Sequence, residues 1–320
     1  MLLNKPILVN GLTLRNRVVM PPMATGKAEN GAPSEEMIQY YAARAKTAGL
    51  IIVEHEYVSL EGMARKNQLS MSDKSVLDQY KKLTDEIHRQ GGLVFSQISH
   101  AGVLAKDSGL TALVPSMLSG WKIREDAREM TSTDIQRLIE YFVNAAMIGK
   151  QAGFDGVEIH SAHGYLLNQF YSPLCNRRED RYNGNTLKGR TMLHCEILRA
   201  IRSLAGTDYA IAIRFGAYDY LEGGSLVEDI PDAVRAFVDA GADMIDISGG
   251  LNGYMIPGES EPGWFTPLSR KTKSAVPVPV MVTGGIKTKA DAEKILAEND
   301  ADLVGIGRAM MKNPNWPNES

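Results

Sequence analysis

Eight short apolar runs, bounded by Gly, Pro or Asn, punctuate the chain at 17–20, 50–53, 93–98, 157–160, 210–215, 244–247, 278–282 and 303–306. Val and Ile dominate them, as in Leu50-Ile51-Ile52-Val53 and Ala210-Ile211-Ala212-Ile213. Runs that are apolar nearly throughout read as strands covered on both faces by helices. Between them, apolar positions recur at helical spacing. The clearest case is Thr133 to Ala152, with Ile135, Leu138, Ile139, Phe142, Ala145, Ala146 and Ile148. Thr131 with Asp134 supplies a capped start there, and Gly153 a stop. The same spacing predicts helices over Val76–Arg89, Thr191–Leu204, Ile230–Ala240 and Lys289–Glu298.

Several of these helices end alike, at Gln90-Gly91-Gly92, Ala152-Gly153 and Ala240-Gly241, and a strand follows at once. Eight such βα units in about 300 residues fit an α/β fold of the (β/α)₈ TIM-barrel type better than a doubly wound sheet. A dinucleotide-binding sheet would show GxGxxG after its first strand, where this chain has Met20-Pro21-Pro22-Met23. No linker, low-complexity tract or composition shift divides the sequence, so residues 1–320 read as one domain.

Composition narrows the function classes. The chain is 44% hydrophobic and 23% charged with a net charge of −3, close to an average globular protein. Scattered charge gives no reason to expect nucleic acid, and no apolar run is long enough to span a bilayer. The N-terminus lacks the pattern of a secretory signal. Cys175 and Cys195, the only cysteines, offer neither a disulfide framework nor a CxxC site. A cytoplasmic protein acting on a small molecule is the expectation; a homo-oligomer is left open.

In such barrels the active site is assembled just past the C-terminal ends of the strands. Here those positions hold Met23-Ala24-Thr25, Glu54-His55, Gln97 with His100, His160 with His163 and Tyr165, Arg214, Ser248-Gly249-Gly250, Gly284-Gly285 and Gly307-Arg308. Four of the six histidines fall in this set; His88 and His194 lie on predicted helices. Bare backbone N–H groups at Gly284, Gly285 and Gly307, with Arg308, make a phosphate site after the last two strands; service in tight turns is the plainer alternative. His160 and His163 stand three apart, with Tyr165 close by. A metal would need a third ligand, and Glu158 lies a step deeper than the mouth. Two neutral imidazoles donating to a carbonyl or nitro oxygen, with Tyr165 as proton donor, suit the setting better. Three satisfied polar residues in a barrel rim are the bland reading.

From Pro6 to about Asn313 the chain resembles the old yellow enzyme family of FMN-dependent ene-reductases, in its short single-barrel branch. The carriers are Leu14-Arg15-Asn16-Arg17-Val18-Val19-Met20-Pro21-Pro22-Met23, Gln97-Ile98-Ser99-His100-Ala101-Gly102, Val157-Glu158-Ile159-His160-Ser161-Ala162-His163-Gly164-Tyr165-Leu166-Leu167, Gln169-Phe170-Tyr171-Ser172-Pro173-Leu174 and Ala301-Asp302-Leu303-Val304-Gly305-Ile306-Gly307-Arg308. The resemblance implies that Pro21, Pro22, Met23 and Ala24 lie against the flavin, that Gln97 meets its pyrimidine edge, and that Arg214 meets the N1–C2 oxygen region. It implies that Gly284, Gly285, Gly307 and Arg308 hold the phosphate, that His160 and His163 bind the activating oxygen of the substrate, and that Tyr165 delivers the proton. It further implies a ping-pong cycle taking hydride from NADPH or NADH and reducing an activated alkene such as an enone.

The sequence also departs from that family's pattern. Ala24 replaces a common Cys or Thr, Gly26 replaces a Tyr and leaves that side of the substrate pocket roomier, and Val103 follows His100-Ala101-Gly102 in place of Arg. His55 stands where short members carry a small residue; it either contacts FMN or narrows the pocket. The iron–sulfur cluster domain and second nucleotide-binding domain of a longer branch are not expected here, and a nicotinamide or an external donor is expected to supply the electrons. Other readings remain: an FMN barrel of the dihydroorotate dehydrogenase or hydroxy-acid oxidase kind, a desaturase working in reverse, a cofactor-free isomerase or aldolase, and a non-catalytic flavin-binding barrel. Trp121, Tyr254, Trp264 and Phe265 lie in long loops as a lid or as packing anchors. Arg270-Lys271-Lys273 reads as a solvated helix face.

Overall fold

The computed structural model describes residues 1–117 and 125–316, so Trp121 lies outside the described residues. All eight predicted runs form parallel strands: β1 (Val18–Met20), β2 (Leu50–Ile52), β3 (Leu93–Ser99), β4 (Gly156–Ser161), β5 (Ala210–Gly216), β6 (Met244–Ser248), β7 (Val280–Val282) and β8 (Leu303–Gly305). Each pairs with the next, and β8 pairs back onto β1 with Val304 opposite Val18. The sheet therefore closes into a (β/α)₈ barrel.

The helices are α1 (Glu35–Ala45), α2 (Leu77–Arg89), α3 (Ser132–Gln151), α4 (Leu166–Tyr171), α5 (Leu187–Ala205), α6 (Ile230–Asp239), α7 (Thr266–Lys273), α8 (Lys289–Ala297) and α9 (Arg308–Lys312). Thr131 caps α3 in a reciprocal box. Its hydroxyl accepts from the Asp134 amide at 3.2 Å, and the Asp134 carboxylate accepts from the Thr131 amide at 2.8 Å. α5 starts four residues earlier than the apolar spacing predicts, because the Thr186 hydroxyl accepts from the Gly189 amide at 3.0 Å. α1 has a similar cap on Ser34. The short α4 and α9 have no apolar period long enough to announce them, and every residue of α4 is buried. In α7 the basic cluster is not simply solvated. Arg270 reaches the Asp300 carboxylate at 2.7 Å and Lys273 pairs with Asp302, tying α7 to the start of β8.

Alternation along the strands divides the core in two. Val19, Leu50, Ile52, Phe95, Ala210, Ala212, Met244, Met281 and Leu303 fill the barrel, while Ile51, Val94, Val157, Ile159, Ile211, Ile213, Ile245 and Val304 face the helices. Each fully buried Leu, Ile, Phe or Met contributes about 1.5–3 kcal/mol. A hairpin of Ile7–Val9 and Leu12–Leu14 closes the N-terminal end with Val9 and Leu14. Its Asn10-Gly11 turn has positive φ at both residues (45° and 79°), the geometry of a two-residue type I′ loop. The N-terminal end of the barrel is thereby plugged.

Candidate active site

One step further along the same inward faces, the apolar filling gives way to polar side chains. Gln97 follows Phe95, His160 follows Glu158, Arg214 follows Ala212, Asp246 follows Met244, and Thr283 follows Met281. Strand register sets these beside one another: Glu158 lies opposite Gln97, His160 opposite Arg214, and Arg214 opposite Asp246. Gln97 Nε2 donates to Glu158 Oε2 at 2.6 Å. Arg214 Nη2 donates to Thr283 Oγ1 at 3.4 Å, and its Nε stands 3.2 Å from Asp246 Oδ2. Burial pushes both carboxyls up; the Asp246 charge raises Glu158 further, while Arg214 pulls both back down.

Above this layer four rings gather. His160 and His163 have ring centroids 5.1 Å apart, and His160 and Tyr165 4.8 Å. His163 reaches this position through a left-handed backbone, φ 58°, followed by Gly164 at 76°. Such a turn is unfavourable for a non-glycine residue and needs outside support. That support comes from α4, where buried Asn168 accepts from the Gly164 amide at 2.8 Å and Gln169 donates to the Gly164 carbonyl at 2.7 Å. His163 Nε2 lies 2.7 Å from Ser248 Oγ, whereas buried His160 Nδ1 has no partner. Burial holds both imidazoles well below the ordinary histidine range, so both are neutral, and it pushes the Tyr165 phenol up to about 12. Half-buried His55 completes the group, its Nε2 3.0 Å from the Tyr165 hydroxyl.

The remaining predicted residues surround this cluster. Met23 and Pro21 pack on Gly307, where an added Cβ would lie 2.8 Å from Met23 Sδ. Pro22 is half-buried beside them, and Ala24 and Gly26 lie exposed on the rim. Asn67 occupies the space next to Gly26, so that side is not simply vacant: a Cβ there would meet its Nδ2 at 2.6 Å. Gly284 and Gly285 both have positive φ and lie under the half-buried Trp264 ring, over which the exposed Arg308 guanidinium sits at 5.6 Å. Trp264 thus links three of the four candidate phosphate residues, and Gly307 lies against Met23 instead. Of the other loop aromatics, Phe265 is fully buried as an anchor, while Tyr254 is exposed with its ring 6.1 Å from His163.

Sequence reasoning assigned no role to Ser248, Glu158, Asp246 or Glu54. Glu54 pins the rim, its carboxylate accepting from the Thr25 amide and the Tyr41 hydroxyl, each at 3.1 Å. A polar residue at or near the end of each run was the available signal, but its partner lies on another strand.

Comparison with known proteins agrees with the barrel fold. The family model described as NADH:flavin oxidoreductase / NADH oxidase matches residues 2–319. An NADH oxidase of Thermoanaerobacter brockii is 38% identical over 98% of this chain and 49% of its own length. An NADPH dehydrogenase of Geobacillus thermodenitrificans is 32% identical over 98% of this chain and 91% of its own. A structure of 2-naphthoyl-CoA reductase with 2-naphthoyl-CoA superposes with TM-score 0.92 at 28% identity, covering 99% of this chain and 51% of that one. The old yellow enzyme homologue from Zymomonas mobilis superposes with TM-score 0.85 at 26% identity, covering 98% and 91%. The chain spans about half the length of the first of these relatives and of the naphthoyl-CoA reductase. With its barrel, its ring cluster and this match along nearly its whole length, the chain belongs to the NADH:flavin oxidoreductase / NADH oxidase family, the FMN-dependent old yellow enzyme family.

Proposed function

We propose that the chain is an NAD(P)H-dependent FMN oxidoreductase that reduces electron-poor C=C bonds, enones and related alkenes, in a ping-pong cycle. The residues fit FMN. Gly284 and Gly285, packed under Trp264, and Gly307 lack side chains at the strand ends next to Arg308, whose guanidinium sits over the same Trp264 ring. The guanidinium of Arg214, paired through Nε with Asp246 and bonded through Nη2 to Thr283, is held in the barrel mouth, where its positive charge can stabilise a negatively charged ring edge. Gln97 offers an amide opposite Glu158, one step deeper, and Pro21, Pro22, Met23 and Ala24 follow β1 to the rim, where they would lie against the flavin. FMN, when bound, supplies hydride transfer between the nicotinamide and the alkene.

The rest of the chemistry belongs to the protein. The observation that carries the proposal is the unpartnered, buried His160 Nδ1 between His163 and Tyr165. As neutral donors, the two imidazoles bind the carbonyl oxygen of an enone and stabilise the charge that grows on it. Ser248 fixes His163 through Nε2, which leaves Nδ1–H for the substrate. Tyr165, protonated over the whole physiological range, gives its proton to the carbon next to the carbonyl.

Rapid mixing of the FMN-loaded protein tests this. Tyr165→Phe is expected to slow reoxidation by cyclohexenone by roughly 10²–10⁴-fold while reduction by NADH or NADPH stays nearly intact. Equal loss in both half-reactions, or a reduced protein that no enone or nitroalkene reoxidises, would overturn the proposal.

A further inference from the structure

The Tyr165 hydroxyl makes one hydrogen bond among the described residues, and its partner is His55, at the exit of β2. The two rings lie 5.6 Å apart at 68°, and His55 is 6.5 Å from His160. Resting on Tyr165 as proton donor, we infer that His55 is a positioning residue. Its Nε2–H donates to the phenol oxygen and so leaves the phenol hydrogen free to point at the substrate.

The opposite sense of the bond, phenol to imidazole, would commit the very proton that must be transferred. The groups around His55 keep its ring neutral, so it carries a single N–H and can donate through Nε2. Burial first, then Arg65 and Arg214, hold His55 down at about 4, and His160 and His163 opposite it are neutral too. His55 therefore keeps one N–H and takes up no second proton. During turnover the Tyr165 O–H bond breaks, a C–H bond forms on the substrate, and the phenolate regains its proton from water. His55 loses no proton, but its N–H now faces an anion, and a hydrogen bond to a charged acceptor is about twice as strong as a neutral one. That gain is made only after the proton has left, so it assists the transfer rather than substrate binding. It also offsets the burial that otherwise makes this phenol a reluctant donor.

The test compares His55→Leu, which removes the donor but keeps bulk, with His55→Gln, which returns an N–H donor at similar reach. Both are measured in the FMN-loaded protein, alone and with Tyr165→Phe. His55→Leu is expected to slow cyclohexenone-driven reoxidation about 10- to 100-fold, with the nicotinamide half-reaction little changed. His55→Gln recovers most of that rate, and His55→Leu adds nothing to Tyr165→Phe, because both remove the same proton transfer. Independently of activity, ¹⁵N-histidine NMR shows His55 protonated at Nε2, with a signal that moves in Tyr165→Phe. A wild-type enone rate in His55→Leu beside a slow Tyr165→Phe, a full additional loss in the double variant, or a His55 protonated at Nδ1 alone would overturn the inference for His55. An unchanged enone rate in Tyr165→Phe is a different result, and removes the donor role of Tyr165 itself.

Discussion

Gly285→Ala separates two demands on one position. At φ +67° an alanine sits in the left-handed region, which costs about 1–2 kcal/mol. Its Cβ would also lie 2.6 Å from Trp264 Cζ3 and 2.9 Å from Cε3, far inside contact distance. Overpacking of that kind costs about 1–3 kcal/mol. Trp264 is half-buried, so its ring can swing outward and keep the second cost near its lower end. The total expected is about 2–4 kcal/mol, or several degrees in Tm. The ring that swings is also the one beneath Arg308, so FMN affinity should fall as well. Thermal unfolding of the FMN-free protein reads the first effect, and quenching of FMN fluorescence on binding reads the second. In Gly285→Ala/Trp264→Ala the collision is gone and only the backbone cost of about 1–2 kcal/mol remains relative to Trp264→Ala. A Gly285→Ala protein within about 0.5 kcal/mol of wild type, the usual scale of an inconsequential surface change, would refute the reasoning. So would a double variant that retains the whole loss.

Two further outcomes follow from the geometry. Ser248→Ala removes the 2.7 Å contact that orients His163; a net hydrogen bond is worth about 0.5–1.5 kcal/mol, so a phenol bound at the imidazoles should dissociate about 2- to 12-fold more readily, with Tm lowered by a few degrees at most, and unaltered binding would remove Ser248 from the site. Asp134→Ala breaks the α3 capping box and its bonds to Arg128 and Arg137, lowering stability by about 1–2 kcal/mol. Bonds from Arg128 and Thr131 hold the Asp134 carboxyl below the ordinary range. Its contribution is therefore complete above the unfolded value near 4 and fades as pH falls toward the folded one. The stability gap between wild type and Asp134→Ala should be constant from pH 5 to 8 and shrink below about pH 4; a gap that widens on acidification would contradict the assigned cap.

The eight strands, five of the nine α-helices among the described residues and the strand-end residues were legible in the sequence because each rests on a local rule. Continuous Val- and Ile-rich runs mark buried strands, and Thr131 with Asp134 marks a helix start wherever the chain lies. α1, α4 and α9 escaped, the shorter two because five or six residues carry no readable period, and α7 was read only as a basic helix face without bounds. His55 was legible as a rim residue, but nothing local distinguished a flavin contact from a phenol contact.

The order of apolar and polar residues along the chain by itself determined the barrel and the end at which its chemistry sits. Only the closed sheet decided which side chains meet. Whether Glu158 or Val157 faces inward depends on the register with β3 and β5, and the approach of His55 to Tyr165 depends on closure between β2 and β4 across β3. Those two residues are 110 positions apart. Hydrophobic periodicity acts over one or two turns of chain, whereas a hydrogen bond at 3.0 Å is set by the packing of every element between its ends.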